Sequence, residues 1–221
     1  SPLPKPNQTD RLRRGGSSEA VYYHSYLQLD KLLSSTRLLS APSSDASPSE
    51  RNLQGAHDEH LFIIIHQTYE LWFKQVLWEL DSVVRLFDAH YVPEASVGLA
   101  TSRLHRVSEI LRILVDQLTV LETMSPMQFL DFRDHLFPAS GFQSLQWRLI
   151  ENTLGLRRER RCSYGEQDYC SFLREDHAEA VGAAEARPSL LKLVQRWLER
   201  TPFLKCKAAS PTTARRSAPP T

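Results

Sequence analysis

The sequence predicts an all-α protein, an antiparallel helical bundle, on three observations. Residues 57–87, HDEHLFIIIHQTYELWFKQVLWELDSVVRLF, contain no Pro or Gly. Phe62, His66, Tyr69, Phe73, Val76, Leu80, Val83 and Phe87 step by four, three, four, three, the stagger that keeps one stripe on one helix face. A second segment, about Ala95 to Leu121, repeats the rhythm through Leu104, Val107, Leu111, Leu114, Leu118 and Leu121. Two such helices with a short connection pack antiparallel. Nowhere does the chain alternate apolar and polar residues convincingly as a strand would.

Taken in order, residues 1–20 carry Pro2, Pro4, Pro6, Gly15 and Gly16 with little apolar content and are expected to be disordered. A short amphipathic helix follows, about Ser25 to Leu38, with Leu29, Leu32 and Leu33 on its buried side and Ser25 and Gln28 at capping-box spacing. Residues 40–55 form a Ser/Pro-rich loop, too polar to pack. In the central helix Ile64, Leu71 and Trp78 widen the apolar stripe, so the helix is expected to be buried on most of its circumference. Glu70 and Lys74 are oriented for an i,i+4 pair, worth about 0.2–0.5 kcal/mol.

Ser125-Pro126-Met127-Gln128 is a helix start with cap, proline and back-reaching Gln. It opens a short helix, ending near Phe137-Pro138, in which Phe129 and Arg133 share a face. Ser140-Gly141-Phe142-Gln143 is a second start, leading through Leu145, Leu149 and Ile150 to a terminal Gly155. The last strong helix is Pro188 to Arg200, amphipathic through Leu190, Leu191, Val194, Trp197 and Leu198. The helical domain is thus expected over 21–204. Residues 205–221 form a low-complexity tail.

Composition excludes several classes of function. The 221 residues are 41% hydrophobic and 24% charged, ordinary for a globular protein, and a formal net charge of +1 gives no reason for a polyanion partner. The basic run Arg157-Arg158-Glu159-Arg160-Arg161 lacks interleaved aromatic residues for stacking bases, so no nucleic-acid partner is expected. Cys162, Cys170 and Cys206 are odd in number and without C-x-x-C spacing, which fits a reducing cytoplasm. No apolar run reaches membrane-spanning length.

The residues 57–82, HDEHLFIIIHQTYELWFKQVLWELDS, closely resemble the signature helix of the tryptophan 2,3-dioxygenase family. Two more stretches agree in the same order: Tyr23-His24-Ser25-Tyr26-Leu27, and FLDFRDHLFPASGFQSLQWRLIE over 129–151. The resemblance runs from about Tyr22 to Phe203 and fades between Arg157 and Arg187, and the tail over 205–221 is expected to lie outside the family. It implies an enzyme using haem b and O2 to open the indole ring of L-tryptophan, giving N-formylkynurenine, the first step of tryptophan catabolism through the kynurenine pathway.

By the same resemblance His66 is the catalytic distal histidine, accepting a hydrogen bond from the indole N–H. A neutral imidazole in an apolar pocket suits that task. Phe62 stacks beside the indole, and Arg133 clamps the substrate carboxylate with a fork that fixes its orientation. Phe129 is a pocket residue; Ser140, with Phe62 and His66, lies at the haem. Tyr23, Tyr26 and Leu27 match residues inserted into a neighbouring subunit's site, which implies a homotetramer. His135 stands where the family more often has an aromatic residue.

The family's further helical half, which supplies the proximal haem histidine, is not represented. None of His24, His57, His60, His90, His105, His135 or His177 matches that motif, so the chain, which opens on Ser1, reads as truncated.

Without the resemblance, spacing favours His66 as a core histidine holding one hydrogen bond, the tyrosines as packing groups, and Arg133 as a surface arginine capping or pairing with Asp131 or Asp134. Two other functions stand beside the enzyme reading. One is an inactive helical fragment that acts only by co-assembling with full-length subunits. The other is a non-haem metal site at His57, His60, His66 and Glu70, disfavoured because the chain has no Glu-x-x-His motif.

Overall fold

The computed structural model describes residues 21–42, 54–161 and 170–201. The segment expected to be disordered (1–20), most of the Ser/Pro-rich loop and the 205–221 tail lie outside the described residues. Within them the chain is all-α, with no strand. Its helices are α1 (Tyr23–Tyr26), α2 (Leu29–Leu33), α3 (His57–Phe87), α4 (Glu94–Asp116), α5 (Leu118–Leu121), α6 (Pro126–Leu136), α7 (Leu145–Leu154), α8 (Glu175–Glu185) and α9 (Leu190–Arg200). Single 3₁₀ turns stand at Gly141–Gln143 and Arg158–Arg160.

The apolar rhythm of α3 makes it the axis of the fold. Val76, Leu80 and Val83 are fully buried, with Phe73 and Phe87 nearly so. Each such side chain contributes roughly 1.5–3 kcal/mol by leaving water. Val107, Ile110 and Leu114 of α4, Ile150 of α7, and Leu190 and Leu193 of α9 complete the core. As residue numbers rise along α3 they fall along α4: Tyr69 donates its hydroxyl to the Leu114 carbonyl, while Glu79 meets Arg106 at 2.6 Å and Arg103 at 3.9 Å. The pair is therefore antiparallel. Arg200 of α9 closes the far end, donating to the Phe87 (3.4 Å) and Ala89 (3.0 Å) carbonyls that the end of α3 leaves unpaired.

Local signals set the other boundaries. α6 begins with the expected capping box between Ser125 and Gln128, with Pro126 at its first position. α7 ends at Gly155, whose φ of 92° is left-handed. A Cβ there would also lie 2.6 Å from Ser189 Oγ, so only glycine fits.

Several elements differ from the sequence expectation. The single helix expected over 25–38 is two short helices, because Gln28 adopts a left-handed φ of 53° between them. Leu32 and Leu33 are exposed. Ser25 and Gln28 form no capping box; Ser25 Oγ donates to the Tyr22 carbonyl and Gln28 Nε2 to the Ser25 carbonyl. The second long helix breaks at Gln117. Ser140 opens a 3₁₀ turn, and Ser144 caps the helix proper. The last helix starts at Leu190 with Ser189 as its cap. Ile64, Leu71 and Trp78 do not widen the buried stripe: all three are exposed, Trp78 by 70%. α8 was not expected. Its sequence EDHAEAVGAAE buries only Val181, too sparse an apolar pattern to register.

Candidate functional site

The site is built where α6 crosses the N-terminal half of α3. Phe132, completely buried, is the anchor. Its ring lies 5.5 Å from Phe62 and 5.4 Å, edge-on, from Phe129, and Phe62 lies 5.8 Å from Phe129. This aromatic triangle fixes α6 on α3, and its Phe62 and Phe129 line a cavity of about 540 Å³. The cavity falls within the roughly 300–1,000 Å³ typical of small-molecule sites.

His66 stands on the same wall one turn beyond Phe62, their ring centroids 4.1 Å apart. Its Nδ1 lies 2.7 Å from the Phe62 carbonyl oxygen. A carbonyl only accepts, so Nδ1 carries the proton and Nε2 of the neutral ring is an acceptor. Arg133 holds its guanidinium carbon 5.9 Å from the Phe129 ring centroid. Among the described residues it forms no ion pair with Asp131 or Asp134, so its fork is available to an anion.

The opposite wall is the turn after α6. Ala139 N–H donates to the Leu136 carbonyl at 2.7 Å. The Ser140 hydroxyl then accepts from Phe142 N–H, while Gln143 Oε1 accepts from Ser140 N–H at 3.1 Å. That reciprocal cap holds Ala139, Ser140 and Gly141 against the cavity.

Five of the eight residues singled out in the sequence therefore line one cavity: Phe62, His66, Phe129, Arg133 and Ser140. Tyr23, Tyr26 and Leu27 do not. They are 71%, 73% and 40% exposed on an arm, α1–α2, that packs only on itself among the described helices. The arm is tied down further along. The buried Glu59 carboxylate accepts from the Leu39 (2.7 Å) and Ser40 (3.0 Å) amides and from the Ser40 hydroxyl. Gln67, which faces the cavity, also accepts from Thr36 Oγ1 at 3.2 Å.

Sequence reasoning missed Phe132 and Gln67, and it weighed Glu70 only for a metal site and for a pair with Lys74. The expected Glu70–Lys74 pair is absent among the described residues; Glu70 accepts instead from Gln146 Nε2 at 2.7 Å, which locks α7 to the site. Only the Phe129–Phe132 spacing of three carried a signal for the anchor. No group of three His, Cys, Asp or Glu that could hold a metal ion occurs among the described residues, so His57, His60, His66 and Glu70 are not assembled as one. No described helix is long and apolar enough to cross a membrane.

The helical bundle thus carries an aromatic cavity that offers one imidazole acceptor and one guanidinium fork to a small molecule. The family model for tryptophan 2,3-dioxygenase matches residues 7–211, and the chain belongs to that family. That span extends past both limits of the resemblance read from the sequence.

The chain is similar to the tryptophan 2,3-dioxygenases of Anopheles gambiae (48% identical over 86% of this chain and 46% of the relative) and Aedes aegypti (48%, 87% and 47%). It is likewise similar to that of Bdellovibrio bacteriovorus (49%, 84% and 49%). The chain spans about half the length of these curated relatives.

Proposed function

We propose that this chain forms the substrate-facing part of a haem-dependent dioxygenase that opens the indole ring of L-tryptophan with O2, giving N-formylkynurenine for the kynurenine pathway. The observation that carries the reading is the pairing of His66 and Arg133 across one aromatic cavity. An indole slides along Phe62 and Phe129, its N–H donating to His66 Nε2. Its carboxylate pairs with the Arg133 fork. Those two contacts fix the ring's position and orientation, the main contribution such a site makes. The Phe62 carbonyl keeps the imidazole in the accepting tautomer.

Leu136 and Ala139 would offer haem b small apolar contacts, Ser140 a hydroxyl at the turn, and Phe62 a ring shared with the substrate. When bound, the haem supplies dioxygen activation. His66 is the only histidine among the described residues lining the cavity and is assigned to the substrate side, so no described cavity residue is left that would hold the iron. The exposed Tyr23, Tyr26 and Leu27 suit docking into a neighbouring copy, in keeping with a homotetramer, and the odd cysteine count suits the cytoplasm. The reading of a fragment that acts only by co-assembly is not favoured, because the cavity is assembled within this one chain.

Titration of L-tryptophan into the haem-reconstituted chain tests the proposal. Arg133→Lys replaces two parallel charge-assisted bonds by one point charge and is expected to raise Kd about tenfold or more. An unchanged Kd removes Arg133 from the carboxylate role.

A further inference from the structure

Gln67 lines the cavity, and both ends of its amide are bonded to the segment that follows α2. Its Oε1 accepts from Thr36 Oγ1 at 3.2 Å, and its Nε2 donates to Ser35 Oγ at 3.4 Å. Ser35 Oγ in turn donates to the Leu32 carbonyl, at the end of α2, at 2.6 Å. A carbonyl only accepts, so Ser35 gives its proton to Leu32 and receives one from Gln67, which leaves the amide oxygen for Thr36.

The same segment is pinned a second time, away from the cavity. Leu38 is buried, and the Leu39 and Ser40 amides donate to the Glu59 carboxylate, fully buried in the first turn of α3. Ser40 Oγ donates to that carboxylate and accepts from Ala56 N–H at 2.8 Å. Glu59 is not a lining residue of the cavity. Residues 35–40 thus form a strap, fixed at one end by Glu59 and meeting the cavity wall at Gln67.

A freely turning glutamine in a cavity wall must be ordered when a ligand arrives, which weakens binding roughly 2- to 12-fold. A glutamine already held by two hydroxyls is ordered beforehand. We infer that Gln67 is a positioning residue of the cavity, kept in one rotamer by the strap, so that seating of residues 35–40 and occupation of the cavity are linked. The linkage is reciprocal: a ligand that favours the held rotamer also tightens the strap. Naming the ligand as L-tryptophan rests on the dioxygenase reading above; the link between strap and cavity does not.

Two strap variants and one cavity variant test the link on the haem-reconstituted chain. Thr36→Val removes the donor to Gln67 at nearly constant volume. Glu59→Gln sets an amide N–H against the Leu39 or Ser40 N–H and loosens the strap without touching the cavity. Each is expected to raise the Kd of L-tryptophan about 2- to 12-fold. In a Gln67→Leu background no amide is left to hold, and neither should have a further effect. Bound tryptophan should slow hydrogen exchange at the Leu39 and Ser40 amides, and in Gln67→Leu it should not. Losses that simply add in the double variants would overturn the inference, because a strap that only stabilises the fold acts independently of Gln67. So would exchange at Leu39 and Ser40 that bound tryptophan leaves unchanged.

The chain without ligand or haem carries a second readout, the ring-proton resonances of His66, the neighbour of Gln67 on the cavity wall. Thr36→Val and Glu59→Gln should each shift them, and in Gln67→Leu neither should. Thr36→Val decides alone if Glu59→Gln loses helicity by circular dichroism. His66 resonances that stay in place in a folded strap variant overturn the link. Failure of tryptophan to bind the wild-type chain counts instead against the dioxygenase reading, while a His66 shift that disappears in Gln67→Leu still establishes that the strap positions the cavity wall.

Discussion

From Phe73 to Phe87, α3 is enclosed by α4, α7 and α9, and its stripe residues are all buried. From His57 to Glu70 the same helix borders the cavity and an exposed arm, and its stripe residues Phe62 and His66 remain accessible. The apolar rhythm does not change between the halves; what changes is how many partners arrive. Three helices close on the second half. The first half receives α6, anchored through Phe132, and the segment strapped down by Glu59, while α4 and α7 reach only its last turn, at Tyr69 and Glu70. Incomplete enclosure of an apolar stripe leaves space that protein does not fill, and the chemistry-bearing side chains occur there.

The largest test of that contrast is Leu80→Ala. Leu80 has no exposure and lies in the enclosed half, so the loss combines transfer and cavity terms, about 2–5 kcal/mol. Urea unfolding followed by circular dichroism measures it. A loss under 1 kcal/mol would mean that the enclosed half collapses readily and is not the rigid member of the pair.

The contrast also marks what the sequence made legible. Periodicity locates both long helices, because a stripe of apolar residues at threes and fours has one solution. It cannot say how many sides of a helix are covered, which is why Ile64, Leu71 and Trp78 were expected inside and lie outside. Placing Phe62, His66, Phe129, Arg133 and Ser140 together came from residue identity across three separated stretches, since no local pattern links positions so far apart. Their roles are read from that identity; their proximity is read from the fold. The break at Gln28 was illegible, because a left-handed glutamine carries no compositional sign. So was the handover of Glu70 from Lys74 to Gln146, which depends on where α7 docks.

Tyr69 stands at the junction of the halves, and a smaller effect is expected there. Its hydroxyl donates to the Leu114 carbonyl, and burial holds its pKa above the ordinary phenol value. Tyr69→Phe should cost about 0.5–1.5 kcal/mol at neutral pH, the net value of one hydrogen bond. The raised pKa fixes the sign of the pH dependence. Stability associated with the neutral phenol is fully present below the unfolded value, near 10, and is lost as pH rises through the folded one. Wild type should therefore lose its margin over Tyr69→Phe on the alkaline limb. A margin that is constant or grows across that limb would contradict the assignment.

The smallest effect on stability, and the clearest separation of the halves, is expected from His66→Ala. The imidazole is exposed and, among the described residues, hydrogen-bonded only to the carbonyl one turn back, while alanine favours the helix, so unfolding should move by no more than about 0.5 kcal/mol. Tryptophan binding should respond differently. Removing one acceptor for the indole N–H forfeits about 0.5–1.5 kcal/mol, roughly a 2- to 12-fold rise in Kd. 1-Methyl-tryptophan has no indole N–H to donate and should lose nothing further in the variant. The pair of ligands isolates the hydrogen bond from the shape of the cavity, because deleting the ring enlarges the space for both alike. Equal losses for the two would assign His66 to packing against Phe62. A large fall in stability would place the first half of α3 in the same rigid class as the second, and remove the physical basis for locating the site there.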